Sequence, residues 1–138
     1  MDPKTIKEFL KINNVFAIVG VSSNSEKWGY RVYKDLKEKG YKVYPINPKL
    51  EKINGDKCYL NLHLLPERPD VVVTVVPPKI TEKIIEEAAE LGIKKIWMQP
   101  GSENEKIIKK GEKTGLTLVH GTCILETVVQ LQLKKMHQ

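Results

Sequence analysis

A short loop near the N-terminus carries the residue types with the clearest chemical potential. The apolar run VFAIVG ends at Gly20, and Ser22 and Ser23 follow it closely. A glycine lets a strand turn sharply into a helix, and hydroxyl groups beside free backbone N–H groups suit a phosphate at the positive end of that helix. The pattern therefore favours a phosphate-binding loop, while serines that merely fill a connection are the alternative.

The end of the next apolar segment bears on which phosphate-bearing ligand this loop could hold. A dinucleotide fingerprint requires the spacing G-x-G-x-x-G, with an acidic residue at the end of the second strand for the ribose hydroxyls. Here Ser22 stands in place of the second glycine, and Asn47, Pro48 and Lys49 follow the second strand where a carboxylate would be needed. These differences argue against NAD and NADP and favour the adenosine end of a more heavily phosphorylated ligand.

Two residues after the last apolar segment could support nucleophilic chemistry. His120 and Cys123 lie three positions apart, and a Cys–His pair can produce a thiolate nucleophile. The sequence offers no evident third group to orient such a pair, so a buried or loop cysteine is the alternative. We expect His63 and His137 to lie in a surface loop and in the tail, and Cys58 to be structural. No catalytic residue and no metal site is therefore assigned.

Positive charge is concentrated in the first half of the chain. The formal net charge is +6; residues 1–69 carry 13 basic and 8 acidic side chains, whereas residues 70–138 carry 10 and 9. A polyanionic ligand and a solvated basic surface would both produce this imbalance. Charge alone does not separate the two interpretations.

An aromatic segment follows the serine loop and could suggest a platform for nucleic-acid bases. Trp28, Tyr30 and Tyr33 alternate with the basic residues Lys27 and Arg31. The same residues open a predicted helix, whose inward face needs apolar bulk. We therefore expect no nucleic-acid partner.

Length and composition predict one soluble domain spanning residues 1–138. The chain is 41% hydrophobic and 29% charged, which is typical of a globular protein. No apolar stretch approaches the roughly 20 residues that cross a bilayer, and the N-terminus lacks the apolar region of a signal peptide. Two cysteines do not form a disulfide framework. We expect a cytoplasmic protein without a membrane partner, and a homo-oligomer is compatible with the sequence.

Strand-like and helix-like segments alternate along the chain, which predicts an α/β fold. Such alternation is typical of parallel strands covered by helices on both faces. We expect a doubly wound, Rossmann-like sheet of five parallel strands in the order 3-2-1-4-5, with ligands at the carboxyl ends of the strands. The predicted strands are 15–20, 41–47, 70–76, 94–99 and 116–120, the predicted helices are 3–11, 29–39, 79–92, 104–115 and 124–135, and residues 48–69 are a loop-rich connection.

Several motifs together resemble a known family. They are AIVGVSS, GYRVYKDLKEKGYKVYPINPKL, CYLNL, DVVVTVVPP, GIKKIWMQPG and TGLTLVHGTCILE, and they extend from about residue 14 to residue 126. In this combination they resemble the stand-alone coenzyme A-binding proteins, which share a domain with the α subunit of succinyl-CoA synthetase. Two dipeptides differ from the family's frequent pattern: Pro77-Pro78 stands where Arg-Pro is common, and Gly121-Thr122 where Asp-Arg is common.

The resemblance implies coenzyme A as the ligand and a role for each matching segment. Coenzyme A carries a diphosphate and a 3′-phosphate, which lysine and arginine can neutralise. The resemblance implies pyrophosphate contacts at Gly20, Val21, Ser22 and Ser23, basic contacts at Lys27 and Arg31, an adenine and ribose edge at Asn47, Pro48 and Lys49, a pocket wall at Val75, Val76 and Pro77, and proximity to the pantetheine arm at Gln99, Pro100 and Gly101.

Taken with this resemblance, the sequence is interpreted as that of a protein that binds coenzyme A or an acyl-CoA without catalysis. The synthetase that it resembles also uses a domain with a phosphorylated histidine, for which we expect no room in 138 residues. Two alternatives remain at this point: an enzyme that processes acyl-CoA or the CoA thiol with Cys123, and a regulator that binds NAD(P).

Overall fold

The structure, a computed structural model, describes residues 2–136, and the prediction for His137 lies outside this range. Strands and helices alternate along the described chain. The elements are α1 (Pro3–Phe9), β1 (Val15–Val19), α2 (Trp28–Glu38), β2 (Lys42–Ile46), β3 (Lys52–Ile53), β4 (Asp56–Lys57), a 3-10 helix (Leu62–Leu64), β5 (Val71–Thr74), α3 (Pro78–Leu91), β6 (Lys95–Met98), α4 (Glu105–Lys113), β7 (Thr117–Val119) and α5 (Ile124–Met136).

The main sheet contains five parallel strands in the spatial order β2-β1-β5-β6-β7. The predicted α/β class and the five-stranded parallel sheet are confirmed. The predicted strand order is wrong in one respect. If the sheet strands are numbered along the chain, the order is 2-1-3-4-5 and not 3-2-1-4-5, because β5 pairs with β1 instead of lying beyond β2.

Two properties of the strands explain this order. All four residues of β5 are buried, as expected of a central strand. In contrast, β2 contains Pro45, whose carbonyl accepts a hydrogen bond from the Tyr59 N–H on the outer side of the strand (2.9 Å). The N–H that proline lacks would point to that same side, so a full strand could not pair there. Pro45 therefore confines β2 to the edge, a signal that was available in the sequence.

The connection from β2 to β5 contains more local structure than the loop that we predicted for residues 48–69. Strands β3 and β4 form a small antiparallel hairpin, whose turn includes Asn54 with a positive φ of 50°. The 3-10 helix follows, and the Asn61 side chain caps it by accepting a hydrogen bond from the Leu64 N–H (3.2 Å). These short elements carry the chain across the sheet without a long crossover helix.

Helices cover both faces of the sheet, as predicted. On one face, Phe16 and Ile18 of β1 pack in a buried cluster that includes residues of α1, α2 and α5. On the other face, Ala17 and Val19 belong to a second cluster with residues of α3 and α4. The alternation of β1 side chains between these clusters follows from the period of two along a strand. No helix within residues 2–136 is both long enough and apolar enough to cross a membrane.

The corrected strand order also moves the point at which the winding of the sheet reverses. The chain passes from β1 to β2 on one side, and then returns across β1 to form β5 on the other side. The reversal therefore lies between β1 and β5, whereas the predicted order would have placed it between β1 and β6. In sheets of this type, the crevice outside the carboxyl ends of the two strands at the reversal is the usual ligand site.

Candidate functional site

Gly20 makes the turn that leaves β1, and nothing larger fits there. Its φ is +102°, which side chains rarely adopt, and its N–H donates to the Ile46 carbonyl oxygen (3.0 Å). A Cβ at Gly20 would lie 2.3 Å from the Val75 carbonyl oxygen and 2.6 Å from Cγ1 of Val76. The backbones that follow β1 and β5 are thus in direct contact at the winding reversal.

Gly29 brings the N-terminus of α2 equally close to this turn. A Cβ at Gly29 would lie only 2.1 Å from the Gly20 carbonyl oxygen. Close packing of the helix on the strand is the role of the third glycine in the dinucleotide fingerprint. The fingerprint spacing from Gly20 would put that glycine at position 25, where Ser25 stands, because a longer loop separates Gly29 from Gly20. A search for a helix-opening glycine at any spacing would have found it.

The loop between β1 and α2 is ordered by its own polar groups. Ser22 Oγ accepts a hydrogen bond from the Asn24 N–H (3.1 Å), and Asn24 Oδ1 accepts one from the Glu26 N–H (3.0 Å). The Val21 carbonyl accepts a hydrogen bond from Asn47 Nδ2 (2.7 Å), which ties the loop to the end of β2. The Ser22 hydroxyl hydrogen is not used in these contacts, and Ser23 is exposed.

The N-terminus of α2 is electrostatically suited to an anion. Lys27 occupies the N-cap position and makes no side-chain capping hydrogen bond, and the first turn contains no acidic residue. A cation at the positive end of a helix is unfavourable unless a negative charge lies nearby. One turn later, the Arg31 guanidinium stacks over the exposed Trp28 ring at 5.3 Å. Two cations therefore lie beside a helix end whose N-cap side chain makes no capping hydrogen bond.

Asn47 connects three parts of the site. Besides its contact with Val21, its Oδ1 accepts a hydrogen bond from the Lys49 N–H (2.7 Å), and its backbone N–H donates to the Tyr59 carbonyl oxygen (3.0 Å). Asn47 is half-buried, while Pro48 and Lys49 are exposed. The amide of Asn47 is thus occupied in fixing the loop, which leaves the next two residues open to a ligand.

A cavity of about 570 Å³ lies at the carboxyl ends of β5 and β6. Its lining includes all six residues that were predicted as the pocket wall and the pantetheine neighbours. These are Val75, Val76, Pro77, Gln99, Pro100 and Gly101, and Trp28, Cys123 and Glu126 also line the cavity. The predicted phosphate and adenosine residues do not line it, but Gly20 touches Val75 and Val76 directly.

Gln99 lines this cavity and is hydrogen-bonded to the residues that begin α5. It is 4% exposed, its Oε1 accepts a hydrogen bond from the Ile124 N–H (2.7 Å), and its Nε2 donates to Cys123 Sγ (3.4 Å). Its backbone carbonyl accepts from the Ser102 hydroxyl (2.7 Å). Both polar atoms of the Gln99 side chain are therefore engaged within the protein, and they fix the start of α5.

The structure does not bring His120 and Cys123 together as a nucleophile and its base. Within residues 2–136, the side-chain hydrogen-bond partner of Cys123 is Gln99, and His120 does not line the cavity. His63 lies elsewhere, in the 3-10 helix, where its Nδ1 is 2.6 Å from Glu87 Oε2 of α3. The surface position predicted for His63 is confirmed. Cys58 is buried, and this burial raises the pKa of its thiol.

Comparison with known proteins shows similarity to long ligase subunits, of which this chain covers a small part, and to a short protein that it covers almost completely. The α subunit of an ADP-forming acetate–CoA ligase II from Pyrococcus furiosus is 31% identical over 119 residues, which cover 78% of this chain but only 26% of the subunit. The chain thus spans about a quarter of the length of that relative, and 11% of an ADP-forming acetate–CoA ligase from Methanocaldococcus jannaschii. By contrast, the uncharacterized protein YneT of Bacillus subtilis is 27% identical and is covered over 88% of its length.

Among solved structures, this chain is likewise similar to a whole short protein and to one part of a long synthetase. A hypothetical protein from Pyrococcus horikoshii is 35% identical, with a TM-score of 0.89, and the match covers 96% of this chain and 93% of that one. A dinucleotide-forming acetyl-coenzyme A synthetase from Candidatus Korarchaeum cryptofilum matches with a TM-score of 0.64 and 28% identity over 78% of this chain and 26% of the synthetase. The family described as a CoA-binding domain matches residues 14–128. This chain therefore belongs to the CoA-binding domain family.

Proposed function

We propose that this protein binds coenzyme A, or an acyl-CoA, and that it does so without catalysing a reaction. The observation that carries the proposal is the cavity of about 570 Å³ beside the turn at Gly20, in a chain whose residues 14–128 match the CoA-binding domain family. The turn and the cavity meet where the winding of the sheet reverses, which is the usual ligand site of such folds.

The loop from Gly20 to Ser23 is the proposed seat of the diphosphate. Gly20 and Gly29 let this loop pack directly against the N-terminus of α2, a helix end that favours an anion, and the Ser22 hydroxyl can donate a hydrogen bond to a phosphate there. Lys27 and Arg31 supply positive charge at the same helix end. A bound diphosphate would relieve the unfavourable position of Lys27 at the N-cap.

The adenosine end is proposed to lie along the segment that follows β2. Asn47 orders this segment, and Pro48 and Lys49 are exposed beside it. Lys49 is positioned on the same edge of the sheet as the loop, where its ammonium could pair with the 3′-phosphate. The absence of a carboxylate at this strand end removes the group that would bind the ribose hydroxyls of NAD.

The pantetheine arm is proposed to enter the cavity. Val75, Val76 and Pro77 give this cavity an apolar wall, which suits the methyl and methylene groups of pantetheine, and Trp28 closes another side. The arm would then lead from the phosphates towards Cys123. The apolar wall and the position next to Gly20 together support this direction.

Binding without catalysis is supported by what surrounds the thiol end. Within residues 2–136, the side-chain hydrogen-bond partner of Cys123 is the neutral amide of Gln99 and not a base. Both cysteines are free thiols, which favours a reducing, cytoplasmic setting. An enzyme that uses Cys123 is the second candidate, because this residue lines the cavity.

Isothermal titration calorimetry with four ligands tests the proposal. We expect coenzyme A to bind more tightly than NAD or NADP, and dephospho-CoA to bind more weakly than coenzyme A by roughly 1.5–3 kcal/mol, the value of a hydrogen bond to a charged group. The matched control is Lys49→Met, which should remove the difference between coenzyme A and dephospho-CoA. Tighter binding of NAD would refute the proposal. Hydrolysis of acetyl-CoA above background would favour the enzyme instead.

A further inference from the structure

Cys123 lies where two cavities meet. The first is the cavity of about 570 Å³ described above, and the second is a groove of about 730 Å³ between α2 and α5. Trp28, Cys123 and Glu126 line both. The two openings therefore share lining residues that include a thiol, and Cys123 lies at their common boundary.

From this arrangement we infer that Cys123 captures coenzyme A disulfide covalently, by thiol–disulfide exchange. The inference rests on the proposed function, because it requires one CoA half to be bound with its phosphates at Gly20–Ser23. That half would occupy the first cavity and present its sulfur to Cys123. The other half would lie in the groove between α2 and α5, which leads to solvent.

The exchange conserves atoms and electrons, and it needs no oxidant other than coenzyme A disulfide itself. The Cys123 thiolate attacks the near sulfur of the disulfide, the CoA–CoA sulfur–sulfur bond breaks, and a bond between Cys123 and the bound CoA forms. The far CoA leaves as a thiolate through the groove and takes a proton from water. Cys123 is oxidised to a mixed disulfide, while one CoA of the pair is reduced to its thiol.

The local contacts of Cys123 suit this step. Gln99 is held by the Ile124 N–H through Oε1, so its Nε2 is directed at the sulfur, and an N–H donor can remain a partner of the sulfur after the thiol loses its proton. Cys123 is half-buried, so an incoming disulfide can reach it.

Cys58 provides an internal control. It is 6% exposed, its sulfur faces the Asn47 carbonyl oxygen, and it lines neither cavity. A reagent that modifies any accessible thiol in a partly unfolded chain would modify both cysteines. A reaction guided by the cavities would modify Cys123 alone.

The test is intact-mass spectrometry with peptide mapping of the wild-type protein after incubation with coenzyme A disulfide. We expect one CoA adduct, located on Cys123, lost on treatment with dithiothreitol, absent in Cys123→Ser and present in Cys58→Ser. The adduct should form on the order of tenfold or more faster than a glutathione adduct from oxidised glutathione, because binding positions the disulfide. An adduct on Cys58, no adduct, or equal rates for the two disulfides would overturn the inference.

Calorimetry of the wild-type protein with coenzyme A under reducing conditions separates this inference from the proposed function. Binding of coenzyme A without a selective adduct would refute covalent capture and leave the proposed function intact. Absence of binding, together with equal rates for both disulfides, would refute both. The variants are compared by thermal unfolding, and mapping of the wild-type adduct needs no substitution at all.

Discussion

Replacement of Gly29 by alanine tests the closest backbone contact of the site. In α2, alanine should gain about 1 kcal/mol over glycine from helix propensity. The new Cβ, however, would lie 2.1 Å from the Gly20 carbonyl oxygen, 3.1 Å from the Gly20 carbonyl carbon and 3.2 Å from the Val21 Cα. All three atoms belong to the backbone, so relief requires α2 and the loop to separate.

The expected change in the free energy of unfolding follows from these two opposing effects. Overpacking costs typically 1–3 kcal/mol, and a rigid contact of this length belongs at the upper end, about 3 kcal/mol. After the gain from propensity, we expect Gly29→Ala to lower the free energy of unfolding by about 2 kcal/mol. For a domain of this size, that corresponds to a fall in Tm of roughly 8 °C. Coenzyme A affinity should fall as well, because the phosphate loop and the helix end move apart.

Gly111→Ala in α4 is the matched control. A Cβ there would meet Cδ1 of Leu118 at 2.8 Å, but this atom is the end of a side chain that can shift. We expect a change in unfolding free energy within about 1 kcal/mol and no change in coenzyme A affinity. Thermal unfolding and calorimetry of both variants are the assays. If Gly29→Ala were as stable as Gly111→Ala, the close contact would be irrelevant and the reasoning refuted.

Three further predictions concern single side chains. Ser22→Ala should weaken coenzyme A binding by about 1 kcal/mol in calorimetry with almost no change in Tm, and unchanged affinity would mean that the backbone alone holds the phosphate. Gln99→Leu should lower stability by about 1–3 kcal/mol in urea unfolding, because the buried Ile124 N–H loses its acceptor; a wild-type midpoint would contradict this. Burial raises the pKa of the Cys58 thiol in the folded protein. The stability that the protonated thiol contributes is therefore complete below the ordinary thiol pKa and is lost as the pH rises through the pKa of the folded state. Between neutral and alkaline pH, the Tm of Cys58→Ala should fall less than the Tm of the wild type.

The sequence predicted the fold class and the strand ends because these depend on local patterns. Apolar runs and helix signals identified each main element to within a few residues. Strand order depends on long-range pairing, and it was predicted incorrectly although Pro45 already restricted β2 to an edge. The continuous apolar run of β5, all of it buried, is likewise typical of a central strand.

The candidate site was predictable in part for a similar reason. The six residues predicted as pocket wall and pantetheine neighbours line one cavity because they follow neighbouring strand ends, and parallel strands bring those ends together. Side-chain direction was not predictable from spacing. His120 and Cys123 are close in sequence but make no hydrogen bond to each other within residues 2–136, and the contact of Cys123 with Gln99 depends on how β6 packs against the start of α5. The role of Gly29 also depends on a three-dimensional contact, the one between the start of α2 and the Gly20 carbonyl oxygen.

The edges of the sheet have a consequence for how copies of this protein can meet. An open strand edge invites pairing with another chain, and natural proteins often block it with proline or keep it short. Here Pro45 lacks the donor on the outer side of β2, and Tyr59 already occupies its carbonyl, while the opposite edge strand β7 has only three residues. Continuation of the sheet from one molecule to the next is therefore disfavoured at both edges. The protein should therefore resist fibrous aggregation through these two edges at high concentration, and surfaces other than the main-sheet edges are favoured for any symmetric assembly.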